Sequence, residues 1–163
     1  MRQWHVAGGL LADERGVLLV ANRRQGGSVD WSPPGGVVDP GETALEALSR
    51  EVTEETGLVV TGWDRLRWSV EVDFVDLDMR LQAEVHQAIE FSGVLRFDDP
   101  DGIVHDATFV DAVSAPPYLD VGPAWIREPM QAWLDQPWSD PVTFRYTAHG
   151  RGPGSLRAER LHP

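Results

Sequence analysis

The stretch Gly36-Val-Val-Asp-Pro-Gly-Glu42-Thr-Ala-Leu-Glu-Ala-Leu-Ser-Arg50-Glu51-Val52-Thr53-Glu54-Glu55-Thr56-Gly57-Leu58 changes character part-way along. Its first part carries Pro40 and Gly41 and reads as loop, whereas Leu45, Leu48 and Val52 recur at helical spacing with Ala44 and Ala47 beside them. Thr43 suits an N-cap, because its hydroxyl can accept from a first-turn amide, and Gly57 suits a stop. The spacing predicts one amphipathic helix over 43–56. At about 100° of rotation per residue, Glu51, Glu54 and Glu55 fall on one stripe beside the apolar one, so three carboxylates edge the buried face.

Like charges at that spacing disfavour a helix, and near its C-terminus the macrodipole also opposes them. A hard divalent cation offsets both effects: magnesium takes oxygen ligands in near-octahedral geometry and bridges to substrate phosphates. Arg50, next to Glu51 and four residues before Glu54, is placed to orient a carboxylate. Taken alone, three glutamates on a helix more often mark a solvated acidic face. The flanking residues decide between the two.

Working outward, Trp31-Ser32-Pro33-Pro34-Gly35-Gly36 forbids a regular element just before this stretch. Upstream, the apolar runs His5 to Ala12 and Val17 to Ala21 flank the turn-forming Asp13-Glu14-Arg15-Gly16 and predict a β-hairpin. Downstream, strands are expected over 58–60, 66–74, within 83–95 and at 108–110, with a second helix over 124–134 that contains Pro129. Val142 to Tyr146 reads as one more strand. Strands and helices in irregular order predict an α/β fold, an α/β/α layered sandwich with a mixed sheet. The expected organisation is one domain over 1–138 and a C-terminal extension over 139–163, an added strand or hairpin that carries Arg145, His149, Arg151, Arg157 and Arg160.

Composition narrows the function. The chain has 163 residues, 42% hydrophobic and 25% charged, the values of a globular domain. There is no cysteine, which excludes disulfides, zinc–thiolate sites and thiol nucleophiles; all 14 basic residues are arginine, which excludes lysine Schiff-base chemistry. A net charge of −12 disfavours a nucleic-acid polymer as partner but is compatible with a small phosphorylated ligand that brings a metal ion. No window is long and apolar enough for a membrane span or a signal-peptide core, so no membrane partner is expected and a cytoplasmic location is the default expectation.

Gly36 to Leu58 resembles the Nudix box, matching its Gly, five spacers, Glu, seven spacers, Arg-Glu-apolar-x-Glu-Glu-x-Gly-apolar pattern at every defined position. The box covers 23 of the 163 residues, and Pro34-Gly35-Gly36 before it is also similar to Nudix domains. The resemblance implies the box as loop–helix–loop in an α/β/α sandwich. It implies Glu51, Glu54 and Glu55 as ligands of Mg²⁺, with Mn²⁺ as a substitute, Arg50 as their orienting partner and the Gly35 carbonyl as a further ligand. Glu42 matches the first glutamate of the box and is implied to be structural. The implied reaction cleaves a pyrophosphate bond in a nucleoside diphosphate linked to another moiety, by attack of a metal-activated water, with Glu54 or Glu55 as first candidate for the base.

Arg23 and Arg24, at the end of the second strand, are candidates for phosphate contact, since a guanidinium fork suits phosphate oxygens. Glu84, Glu90, Asp99, Asp101 and Asp106 are expected to face solvent, and His5 and His86 to be ordinary strand residues. Among the seven tryptophans, Trp31 is the best candidate to stack a nucleobase. The proline of ADP-ribose-cleaving members is missing at Asp73 and Phe74, and the tyrosine of diadenosine-polyphosphate-cleaving members at Val75, which favours a MutT-like enzyme acting on a (deoxy)nucleoside triphosphate or related nucleotide. The resemblance also suggests a homodimer. The alternative is a catalytically silent Nudix-fold nucleotide-binding or sensor module, against which the intact glutamates count.

Overall fold

The computed structural model describes residues 1–152 and 154–162; Pro153 and Pro163, both in the expected extension, lie outside the described residues. In chain order the elements are β1 Arg2–Leu10, β2 Ala12–Asp13, β3 Gly16–Arg23, β4 Val29–Ser32, β5 Gly35–Val37, α1 Ala44–Thr56, β6 Val59–Phe74, β7 Met79–Ser92, β8 Val104–Val110, α2 Pro116–Leu119, α3 Ala124–Asp135, β9 Val142–His149 and β10 Arg157–Leu161. A mixed six-stranded sheet runs β10-β9-β6-β7-β1-β5, and a smaller sheet is built around β3, which pairs with β2, β4 and β8. None of the helices among the described residues is long and apolar enough to cross a membrane.

The α/β/α sandwich expected from the sequence is the fold observed, with one hydrophobic cluster on each face of the main sheet. Ala7, Leu48, Val52 and Ala88 close the face under α1, and Val70, Val72, Val85, Met130, Trp133, Phe144 and Tyr146 close the face under α3. This division follows from the period-2 alternation of side chains along each strand.

The first hairpin differs from its expectation. Only Ala12–Asp13 and Gly16–Val17 pair as a hairpin, while β1 lies in the main sheet, parallel to β7 and antiparallel to β5. The chain changes sheets at Leu10–Leu11, and both residues are fully buried, Leu10 under α3 and Leu11 under α1. Pairing β1 along its whole length with β7 satisfies more backbone groups than a hairpin with β3 would. The strands expected over 58–60 and 66–74 form a single β6, whose register shifts between Val60 and Trp68 absorb the Thr61–Arg65 segment.

The tail continues the main sheet. β9 runs parallel to β6, with Val70 opposite Phe144 and Val72 opposite Tyr146, and β10 pairs antiparallel outside it. Trp138 packs on Trp68 and Phe144 and donates its indole N–H to the Arg67 carbonyl at 2.7 Å.

Candidate active site

Helix α1 forms where the pattern placed it. The Thr43 hydroxyl accepts from the Glu46 amide and the Glu46 carboxylate accepts from the Thr43 amide, a complete capping box. Gly57 ends the helix at φ 76°, a left-handed conformation that suits glycine. The buried stripe differs in one respect from the expectation. It consists of Ala47, Leu48, Val52, Glu55 and Thr56, while Leu45, expected to face the core, is exposed in the first turn. The stripe is rotated so that Glu55 lies within the packed face.

Burial governs the chemistry of Glu55. It is 7% exposed, and its Oε2 accepts a single hydrogen bond, 3.0 Å from the Gly35 amide. Loss of hydration pushes its pKa up to about 8; the Gly35 N–H opposes that shift, and the charges of Glu51, Asp99 and Glu54 add to it. Glu51 is also raised, first by burial, against the stabilising hydrogen bond from Arg50.

Arg50 is the organising cation. Its Nε and Nη2 donate to the two oxygens of Glu42 at 2.9 and 2.8 Å, and Nη1 donates to Glu51 at 2.8 Å and to Glu54 at 3.5 Å. The bidentate pair with Arg50 holds the Glu42 carboxyl below the usual range. Glu42 therefore fixes Arg50, and Arg50 fixes Glu51. Gly36 leaves room for the result, since a Cβ there would lie 2.7 Å from the Glu51 Cδ.

These groups open onto a cleft of about 790 Å³. Glu51, Glu54 and Glu55 border one end together with Gly35, and Arg24, Asp99 and Asp101 also reach it. The other end is apolar, with a floor of Val70, Leu81, Ala83 and Val85 and a wall of Trp125 and Ile126 from α3. Among the described residues, no three His, Asp or Glu side chains converge on one point; Glu51 and Glu54 turn to Arg50 while Glu55 turns to Gly35. The donor set nevertheless fits a hard divalent cation. It is all oxygen, and its most buried carboxylate has one neutral donor and no arginine partner.

The other candidates fall in different places. Arg24 lines the cleft, tied to both oxygens of Asp30 at 2.7 and 2.9 Å, whereas Arg23 points to the opposite face of β3 and does not reach the cleft. Trp31 is also absent from the cleft: it packs edge-on against Tyr118 with ring centres 4.9 Å apart, and Trp125 lines the wall instead. Asp101 is exposed, as expected, while Asp99 is half-buried and caps the amides of Ile103 and Val104; both lie on the loop before β8 and border the cleft. Glu84 bridges His5 and His86 rather than facing solvent alone. The Asp98–Gly102 run advertises a turn, and nothing in its local sequence tells that the turn faces α1.

A layered α/β/α fold with a carboxylate-bearing loop–helix–loop at the mouth of a half-apolar cleft defines the class of this protein. The NUDIX domain model matches residues 2–129, and the chain belongs to that family. It is 37% identical over 83 residues to the asymmetrical bis(5'-nucleosyl)-tetraphosphatase of Rattus norvegicus, covering 39% of this chain and 56% of the rat protein. It is 34% identical over 84 residues to the 8-oxo-dGTP diphosphatase of Proteus vulgaris, covering 49% of this chain and 72% of that one. The chain thus spans about half the length of the rat relative it matches. Among solved structures, the MutT protein of Methanosarcina mazei superposes with a TM-score of 0.67 at 20% identity, covering 83% of this chain and 94% of that one. The MutT protein of Bacillus halodurans gives 0.63 at 22%, covering 96% and 97%. At these identities the two structures speak to the fold. β9 and β10 lie beyond the residues that the family model matches.

Proposed function

We propose that the chain is a Mg²⁺-dependent hydrolase, with Mn²⁺ as a substitute, that cleaves a pyrophosphate bond in a nucleoside diphosphate linked to another group, a (deoxy)nucleoside triphosphate or related nucleotide. The observation that carries the proposal is the pairing of buried Glu55, lacking an arginine partner, with an apolar wall in one cleft. The acidic end suits a cation with its phosphates, and the apolar end suits a flat base. The named activities of the rat and Proteus relatives support this substrate class.

In this reading Glu51, Glu54 and Glu55 hold the cation, assisted by the Gly35 carbonyl. When bound, the cation would neutralise phosphate charge and lower the pKa of water. Arg50 fixes the Glu51 carboxylate through the bond it donates at 2.8 Å, and Glu42 keeps Arg50 in place. Glu54 has the weakest protein partner of the three, the 3.5 Å contact to Arg50, which leaves it free to take the proton of the attacking water. Arg24 has its Nη1 unused by Asp30 and available to a phosphate oxygen.

The test is a panel of nucleotide-type pyrophosphates incubated with the chain and Mg²⁺ in ¹⁸O-labelled water, with products resolved by mass spectrometry. Label in a phosphate-bearing product, lost on adding EDTA, is expected. Tight nucleotide binding with no turnover across the panel would instead establish the silent sensor module.

A further inference from the structure

Asn22, on β3, is 7% exposed and lines the cleft. Its Nδ2 lies 3.4 Å from the Asp30 carbonyl, 3.2 Å from Asp30 Oδ1 and 2.9 Å from Ser32 Oγ. Two of these three neighbours can only accept, so the amide has one permitted orientation: nitrogen toward Asp30, oxygen away. Asp30 is itself held by both arms of Arg24, which prevents it from turning aside. Asn22 Oδ1 has no donor partner among the described residues, and it is not sealed from the cleft, since His86 Nδ1 is the one buried side-chain N or O atom there without a partner.

We infer that Asn22 is a specificity-determining residue, an acceptor that cannot flip, set to receive an N–H or O–H of the uncharged, nucleoside part of the substrate. An amide oxygen without an available N–H beside it repels phosphate, so this part of the cleft is matched to a neutral donor. A site built around a fixed acceptor discriminates strongly, because a ligand lacking the donor leaves that acceptor desolvated and unpaired. Asn22 and Arg24 both hold Asp30, so in this reading the donor that Asn22 receives lies directly beside the phosphate that Arg24 contacts.

The inference rests on the nucleotide reading above, and its test separates the two. Methylene-bridged nucleoside triphosphates in Mg²⁺ are titrated into the full chain by calorimetry. One arm pairs bases with and without an exocyclic amine (guanine against hypoxanthine, adenine against purine), and the other pairs ribose with 2'-deoxy- and 3'-deoxyribose. Loss of the matching donor in one arm is expected to weaken Kd by about 5–100-fold, and the arm that responds names the source of the donor. In Asn22→Leu, of similar size, the same ratio is expected to collapse to about one while the weaker analogue binds as before. Should Asn22→Leu fail to fold, the same collapse of the ratio is read in Asn22→Ala, which also removes the acceptor. Ratios near one in both arms, or a ratio unchanged in Asn22→Leu, overturn the assignment of Asn22. Selective binding without hydrolysis of the cleavable parent nucleotides overturns the hydrolase reading and leaves Asn22 standing. No binding of any analogue overturns both.

Discussion

Replacing Glu55 by glutamine should make the metal-free protein more stable and the enzyme inactive. The carboxyl is 7% exposed, and burial moves its pKa from the ordinary 4.5 to about 8. The folded state therefore holds this proton more tightly than the unfolded chain does, and between pH 4.5 and 8 folding is opposed by the cost of ionising Glu55 or of keeping it protonated. The sign follows: without cations, this group's contribution is neutral below about pH 4, falls through the window, and is fully unfavourable above pH 8. At about 1.4 kcal/mol per pH unit, the cost at pH 8 is about 4 kcal/mol. Glutamine keeps an oxygen for the Gly35 amide and carries no charge; its buried NH₂ gives back about 1–2 kcal/mol. Urea denaturation in EDTA should find Glu55→Gln more stable than wild type by about 2–3 kcal/mol at pH 8, with the gain gone by pH 4–5. Millimolar Mg²⁺ should reverse the order, because binding stabilises only a protein that still has its ligand. Turnover should drop by orders of magnitude. A stability difference equal at pH 5 and pH 8 would refute the reasoning, since it would show that ionisation of Glu55 is not what burial penalises.

Three further outcomes are expected. Gly36→Ala places a methyl 2.7 Å from the Glu51 Cδ and should displace that carboxylate without unfolding the loop, weakening the Mg²⁺ dependence of activity by about 10–100-fold; an unchanged metal titration counts against Glu51 as a ligand. Trp125→Ala removes the aromatic wall and should raise KM for a nucleotide by about 5–150-fold with a smaller effect on kcat, and equal loss in both would move Trp125 from binding to the reaction itself. A chain ending at Trp138 removes Phe144, Tyr146 and Ala148 from the core over β6; it should show no cooperative thermal transition by circular dichroism, and a wild-type transition would establish the tail as dispensable.

What could be read from the chain and what could not are separated by sequence distance. Helix α1 was legible because its cap, its period and its stop lie within fifteen residues and act through local hydrogen bonds; the capping box and the left-handed Gly57 follow from that stretch alone. The placement of β1 was not, because Gly8 against Val85 and Gly8 against Gly35 are pairings between segments whose local pattern is equally content with a hairpin. The same limit governed the site. Glu51, Glu54 and Glu55 were visible as a set, yet that Glu55 would be the buried member depended on Gly35 docking against the helix, a contact across 20 residues.

Arg23 and Arg24, neighbours in sequence, also part company in space. Side chains alternate along β3, which sets Arg23, its last residue, out of phase with Asn22, and Asp30, contacted by Asn22 and Arg24 alike, holds Arg24 on the cleft side. Asn22 and Arg24 meet the same carboxylate, Asp30, and both line the cleft, whereas Arg23 between them does not. The local sequence identifies a basic pair; the strand's phase selects its working member. The same phase turns Asn22 toward Asp30 and Ser32, so the recognition proposed for Asn22 and the phosphate contact proposed for Arg24 stand or fall with one register, Asn22 opposite Asp30. A one-residue slip of β4 would free the Asn22 amide to rotate, release Arg24 from Asp30, and leave the cleft wall with neither a fixed acceptor nor a positioned cation.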